Sequence, residues 1–104
     1  MAVDKAKARS LALYEAVLTL KDLDECHRFF QDLCTPNELR SMEQRYYTAV
    51  CLSGGMVYSD VLANTGASSA TISRVRRSML DGGEGGVMRE IIERVGHADF
   101  LGKD

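Results

Sequence analysis

The sequence predicts an all-α protein of six helices. Three observations carry that reading. Pro36 is the only proline, and Leu, Ala, Arg and Glu are frequent while β-branched runs are few, which favours helix. Apolar residues recur at helical spacing in one stretch after another. Turn signals separate those stretches: Gly54–Gly55, Gly66 and the run DGGEGG at 81–86. Nothing reads as a strand pair.

Residues 5–20 carry Leu11, Tyr14, Val17 and Leu18 at helical spacing and form the first amphipathic helix. In DLDE, Asp22 is placed to cap a second helix, with Glu25 three residues on to complete a capping box. That helix is expected to bury Cys26, Phe29, Phe30 and Leu33. TPNE is a stronger start signal: Thr35 caps, Pro36 takes the first helical position, and Glu38 reaches back to the cap's N–H. The third helix presents Leu39, Met42, Tyr46, Ala49 and Val50 on one stripe and stops at Gly54–Gly55. A short fourth helix is expected from about Ser59 to Asn64, followed by a turn at Gly66. Ser68 can cap a fifth helix that reaches about Leu80. After the glycine-rich break, Val87, Met88, Ile91, Ile92 and Val95 mark the last amphipathic helix.

A chain of 104 residues is read as one small domain spanning 1–104. Its core is thin when divided among short helices, so oligomerisation is a natural supplement. Cys26, Cys34 and Cys51 are odd in number and widely spaced, which points to reduced thiols rather than a disulfide framework. The stretch MAVDKAKARSLAL has no signal-peptide core, and no apolar run approaches the roughly 20 residues of a membrane span. A cytoplasmic protein without membrane attachment is expected.

The formal net charge is −2, but charge is unevenly distributed. Between Tyr58 and Leu80 one acid, Asp60, faces three bases, Arg74, Arg76 and Arg77, a balance of +2; from Asp81 to Asp104 six acids face three bases, a balance of −3. A local basic face suits phosphate, because fields decay within about a Debye length. The run TGASSATISRVRR at 65–77 explains where that face lies. Two helices joined by a tight glycine-containing turn, at about 58–80, form a helix-turn-helix. Its packing positions fall on Val61, Ala67, Ile72 and Val75, while Leu62 stands where a small residue is usual and threatens a clash. On the second helix Ile72, Val75 and Met79 point to the core, and Ala70, Ser73 and Arg77 point away. Small residues permit close approach to a groove, hydroxyls and a methyl can contact base edges, and arginines can reach phosphate or guanine. Ser68, Ser69, Ala70, Thr71, Ser73, Arg76 and Arg77 are the expected DNA-contacting residues. Thr71, Arg74 and Ser78 form a neighbouring stripe.

TPNELRSMEQR, followed after a glycine break by TGASSATISR, resembles the Trp repressor family, and particularly its YerC/YecD-type members. The resemblance runs from about Leu33 to Met79 and implies an intertwined, all-helical homodimer with two helix-turn-helix heads. Such a dimer reads a palindromic operator with half-sites about one helical turn apart. The resemblance implies a transcriptional regulator, expected to be a repressor, whose heads a small effector can fix at the right spacing. The ligand positions of that family fall on Thr35, Arg45, Arg74 and Ser78. L-tryptophan is the effector the resemblance offers, with Arg45 and Arg74 flanking its indole. Val75 stands where tryptophan-binding members have Gly, and one residue fewer separates the matched segments. A β-branched side chain there occupies indole volume, although the helical wheel turns Val75 to the core. A different small ligand, or none, is the expectation.

Other classes fit less well. Cys26, His27 and Cys34 lack zinc spacing, and His97 is remote. No Ser-His-acid or Cys-His grouping suggests an enzyme. The alternative is a helical protein–protein adaptor that does not bind DNA, but an adaptor face would carry Tyr, Met or Leu anchors where Ala70, Ser73 and Arg77 stand.

Overall fold

In the computed structural model, residues 4–80 and 86–96 are described. They form six helices and no strand: α1 (Lys5–Val17), α2 (Leu23–Leu33), α3 (Pro36–Ser53), α4 (Tyr58–Thr65), α5 (Ser69–Leu80) and α6 (Met88–Val95). Residues 81–85 of the glycine-rich break at 81–86, and His97, lie outside the described residues. The chain divides into two compact units, one ending at Leu39 and one beginning at Arg40.

In the first unit, α1 is capped by Asp4, whose Oδ1 accepts the Ala6 N–H at 3.0 Å. The helix ends at Val17, short of the expected 20. The Thr19 N–H and hydroxyl both turn to the Ala16 carbonyl, at 3.0 and 2.7 Å, and the Leu20 N–H takes the Val17 carbonyl. Those tight three-residue bonds replace the helical ladder. Asp22 caps α2 as expected, accepting the Glu25 N–H at 2.8 Å. The reciprocal half of the box differs: Glu25 Oε1 accepts the Lys21 N–H at 3.2 Å, one residue before the cap. At α3 the box is complete, with the Glu38 N–H donating to Thr35 Oγ1 at 3.1 Å and the Thr35 N–H to Glu38 Oε1 at 2.8 Å.

The expected burial of the N-terminal stripes is not found. Neither α1 nor α2 contains a buried residue. Leu11, Tyr14 and Leu33 are exposed, and Leu18 and Leu23 are 86% and 85% exposed. Cys26, Phe29 and Phe30 are only half-buried, the two rings meeting edge to face at 5.4 Å. Two short helices have two apolar stripes but no third layer to close over them.

The second unit holds every buried residue among those described. From α3, Ala49 and Val50 meet Val75 and Met79 of α5 and Ile92 of α6, with Tyr46, Leu52 and Met88 packed against them. Cys51 joins Val61 of α4, Ala67 of the turn and Ile72 of α5, flanked by Tyr47, Leu52 and Met56. Leu52 borders both clusters, so α3 is the spine on which the helix-turn-helix and α6 are mounted. Of the expected α3 stripe, Met42 stays exposed and Leu39 half-buried. On α6, Val87 and Val95 are exposed beside buried Ile92.

Candidate nucleic-acid interface

The turn between α4 and α5 is held by local polar bonds and by α3. Gly66 ends α4 in the left-handed region at φ 67°, which an L side chain adopts only with strain. Thr65 Oγ1 donates to the Val61 carbonyl at 2.8 Å and accepts the Ala67 N–H at 3.1 Å. Gln44 Nε2, from α3, donates to the Thr65 carbonyl at 3.0 Å. Thr48, fully buried, satisfies its hydroxyl on the Gln44 carbonyl at 2.7 Å. Ser68 Oγ then caps α5 by accepting the Thr71 N–H at 3.1 Å.

Val61, Ala67, Ile72 and Val75 are all buried, as the helix-turn-helix spacing requires. Leu62 does not cause the clash its size threatened. It is 37% exposed, because α4 turns it to the outside rather than toward α5.

The face of α5 opposite the core is open. Ser69, Ala70, Ser73 and Arg77 are exposed, whereas Ile72, Val75 and Met79 are buried. Two of the expected DNA-contacting residues have other work. Ser68 is the cap, and its hydroxyl lies 3.1 Å from Thr71 Oγ1, with Thr71 half-buried. Arg76 is exposed on the flank of α5, lining a concavity of about 420 Å³ with Arg89 of α6. Arg77 sits in the last turn, where a cation also complements the helix dipole.

Of the four residues offered as ligand contacts, Arg45 and Arg74 come together around a cleft of about 110 Å³, with Ala70, Thr71 and Val75. Ser78 is exposed and does not line it. Thr35 belongs to the first unit, where its hydroxyl serves the α3 cap. Val75 is 6% exposed, packed in the core, and also forms one wall of the cleft. Preformed small-molecule sites usually occupy about 300–1,000 Å³, so this cleft is small for one.

Sequence reading missed Gln44 and Arg89. Gln44 has no local signal, because its partner lies 21 positions away. Arg89 sits in the net acidic C-terminal stretch, and only the packing of α6 beside α5 brings it near Arg76. Burial pushes the Cys51 thiol above its ordinary range. The Tyr47 hydroxyl is raised by the neighbouring Cys51 charge and then by burial, and burial alone raises Tyr46. No group of three or more His, Cys, Asp or Glu among the described residues could hold a metal ion. No helix among them is long and apolar enough to cross a membrane.

These elements define an all-helical protein with a helix-turn-helix head mounted on a central helix. More narrowly, the chain belongs to the Trp repressor protein family, which matches it over residues 9–95. It is 49% identical over 80 residues to the uncharacterized protein YerC of Bacillus subtilis, covering 76% of this chain and 77% of that protein. Among solved structures, a TrpR-like protein from Eubacterium eligens is 46% identical with a TM-score of 0.75, covering 83% of this chain and 87% of that one. A protein from Staphylococcus aureus, described in its structure as a candidate Trp repressor, is 39% identical with a TM-score of 0.79, covering 91% and 96%.

Proposed function

We infer that this protein is a sequence-specific DNA-binding transcriptional regulator, a repressor, that acts as a homodimer on a palindromic operator. The observation that carries this is the open face of α5: Ser69, Ala70, Ser73 and Arg77 are exposed on a helix whose other side is locked into the core. That face is small, hydroxylated and basic, the chemistry of groove contact rather than of a protein anchor. Family membership supports a regulatory rather than an enzymatic role. The exposed apolar residues of α1 and α2 support the homodimer, since a second copy is the simplest surface to cover them. In this reading 1–104 acts as one domain, in the cytoplasm with the chromosome. Ser68 and Thr71 shape the start of the reading helix, while Ser69, Ala70, Ser73, Arg76 and Arg77 face the duplex.

Tryptophan is not required in this reading, because Val75 narrows the cleft between Arg45 and Arg74. Another small ligand, or none, sets the spacing of the heads.

The test is selection of bound duplexes from a random pool, with and without L-tryptophan. A palindromic site with half-sites about one turn apart is expected in both conditions. Enrichment only with tryptophan would show that Val75 is tolerated in a tryptophan site. No enriched site at moderate salt favours the adaptor reading. Arg77→Ala is expected to weaken binding and lower the salt slope by about 1 if it meets phosphate, whereas an unchanged affinity and slope removes Arg77 from the interface.

A further inference from the structure

A concavity of the second unit distinct from the Arg45–Arg74 cleft takes no part in the proposed DNA contact beyond Arg76. It lies among the end of α3, the turn into α4, the C-terminal half of α5 and the start of α6, and encloses about 420 Å³. That volume is within the usual range for small-molecule sites. Leu52, Met56 and Met79 give it apolar walls, Tyr58 adds a ring, and Arg76 and Arg89 bring two guanidinium groups to it from different helices. Among the described residues that line it there is no carboxylate. No ion pair joins Arg76 or Arg89 to another described residue. Gly55 also lines the cavity, in the left-handed region at φ 82°, and a Cβ there would meet nothing within 4 Å.

We propose that this concavity binds a small organic anion with an apolar body, its charged group held by Arg76 and Arg89 and its body against Met56, Met79 and Tyr58. Two like charges brought to one cavity repel each other, and a shared anion relieves that repulsion. Guanidinium groups favour oxyanions because their N–H donors match carboxylate and phosphate geometry. The apolar walls separate this site from a plain phosphate contact, since inorganic phosphate leaves Leu52, Met56 and Met79 uncovered. The soft, adaptable methionines suit a planar or branched body. A bound anion bridges α5 to α6. Where α5 reads DNA, as proposed above, it also withdraws Arg76 from the duplex, so anion and DNA oppose each other at that residue.

The test uses the full chain without DNA, so its outcome does not depend on the DNA-binding reading. Two probes, 3-phenylpropionate and phenyl phosphate, are titrated by calorimetry and by NMR of methyl-labelled methionines. Saturable binding of at least one is expected, with shifts at the Met56 and Met79 methyls. The uncharged 3-phenylpropionamide, acetate and inorganic phosphate are expected to bind at least tenfold more weakly than the probes. Which probe binds more tightly tells a carboxylate from a phosphate ester. Arg89→Gln, on an exposed side chain, should weaken binding at least tenfold with an unchanged thermal melt. Arg76→Gln should do the same. Failure of both probes to bind overturns the proposal, as does equal binding of the amide, unmoved methionine methyls, or full affinity in both arginine variants.

Discussion

From Arg40 onward, α3 buries Thr48, Ala49, Val50 and Cys51 in succession, because α4, α5 and α6 cover it. Up to Leu39, α1 and α2 carry leucines, a tyrosine and two phenylalanines, yet bury none of them. Composition does not separate the two regions; the number of helices around each stripe does. A helix of 13 residues is marginal by itself in water, so α1 draws its stability from tertiary packing. Among the described residues its own unit supplies only α2 and the first turn of α3. A second copy, as in the proposed homodimer, would supply the missing surface; apolar periodicity identifies a contact face without identifying the chain that covers it.

The largest effect is expected in the first unit. Leu11→Asp combined with Leu18→Asp changes two side chains already exposed within one chain. If nothing covers them, stability should move by only about 0.5 kcal/mol per site. The expected result is loss of self-association in analytical ultracentrifugation, together with loss of the concentration dependence of Tm. A monomeric parent with an unaltered melt in the variant would remove the dimer from the proposal.

The next largest effect is expected in the second unit. Ile72 is buried between α3 and α4 and its loss leaves a cavity, so Ile72→Ala should cost about 2–5 kcal/mol in chemical denaturation. Unlike the aspartate variant, its effect should persist at any protein concentration. A cost below about 1 kcal/mol would mean that the head collapses around the gap more easily than its packing implies.

Thr35→Ala gives a smaller effect. It removes one bond of the cap at the start of α3 and should cost about 1 kcal/mol. Thr35→Ser keeps the hydroxyl and should recover most of it. If Ser fails to recover the loss, Thr35 contributes through something other than the cap.

The smallest effect concerns Cys51. Burial raises its thiol, so the folded chain keeps a proton that the unfolded chain releases. The resulting stability is complete below the unfolded thiol's pKa and is lost as pH rises through and beyond that value. Cys51 should therefore react with a thiol reagent more slowly than half-buried Cys26 and Cys34 at mildly alkaline pH. Equal rates for all three would show that the second unit opens as readily as the first.

Much of the fold was legible because its signals are local. The Thr35–Glu38 box, the Asp22 cap, the Gly66 turn and the Ser68 cap each depend on atoms within four residues. The inward positions of the helix-turn-helix were legible for the same reason, being set by helical period and turn length. The end of α1 was not, because three-residue bonds at Thr19 and Leu20 compete with the helix on nearly equal terms. In the candidate site, the open face Ala70/Ser73/Arg77 follows from the wheel of α5, but Gln44 on the turn and Arg89 beside Arg76 do not.

Six helices, the caps of α2, α3 and α5, the inward positions around the Gly66 turn and the basic stretch of α5 follow from the sequence, since period, cap chemistry and charge order act over a few residues. Tertiary structure alone decided that Leu62 faces outward, that Val75 serves both core and cleft, and that Arg76 and Arg89 share a cavity. It also left the stripes of α1 and α2 open within their unit. Those outcomes depend on how many helices surround each face and at what angle they meet, and segments far apart in the chain set that geometry jointly.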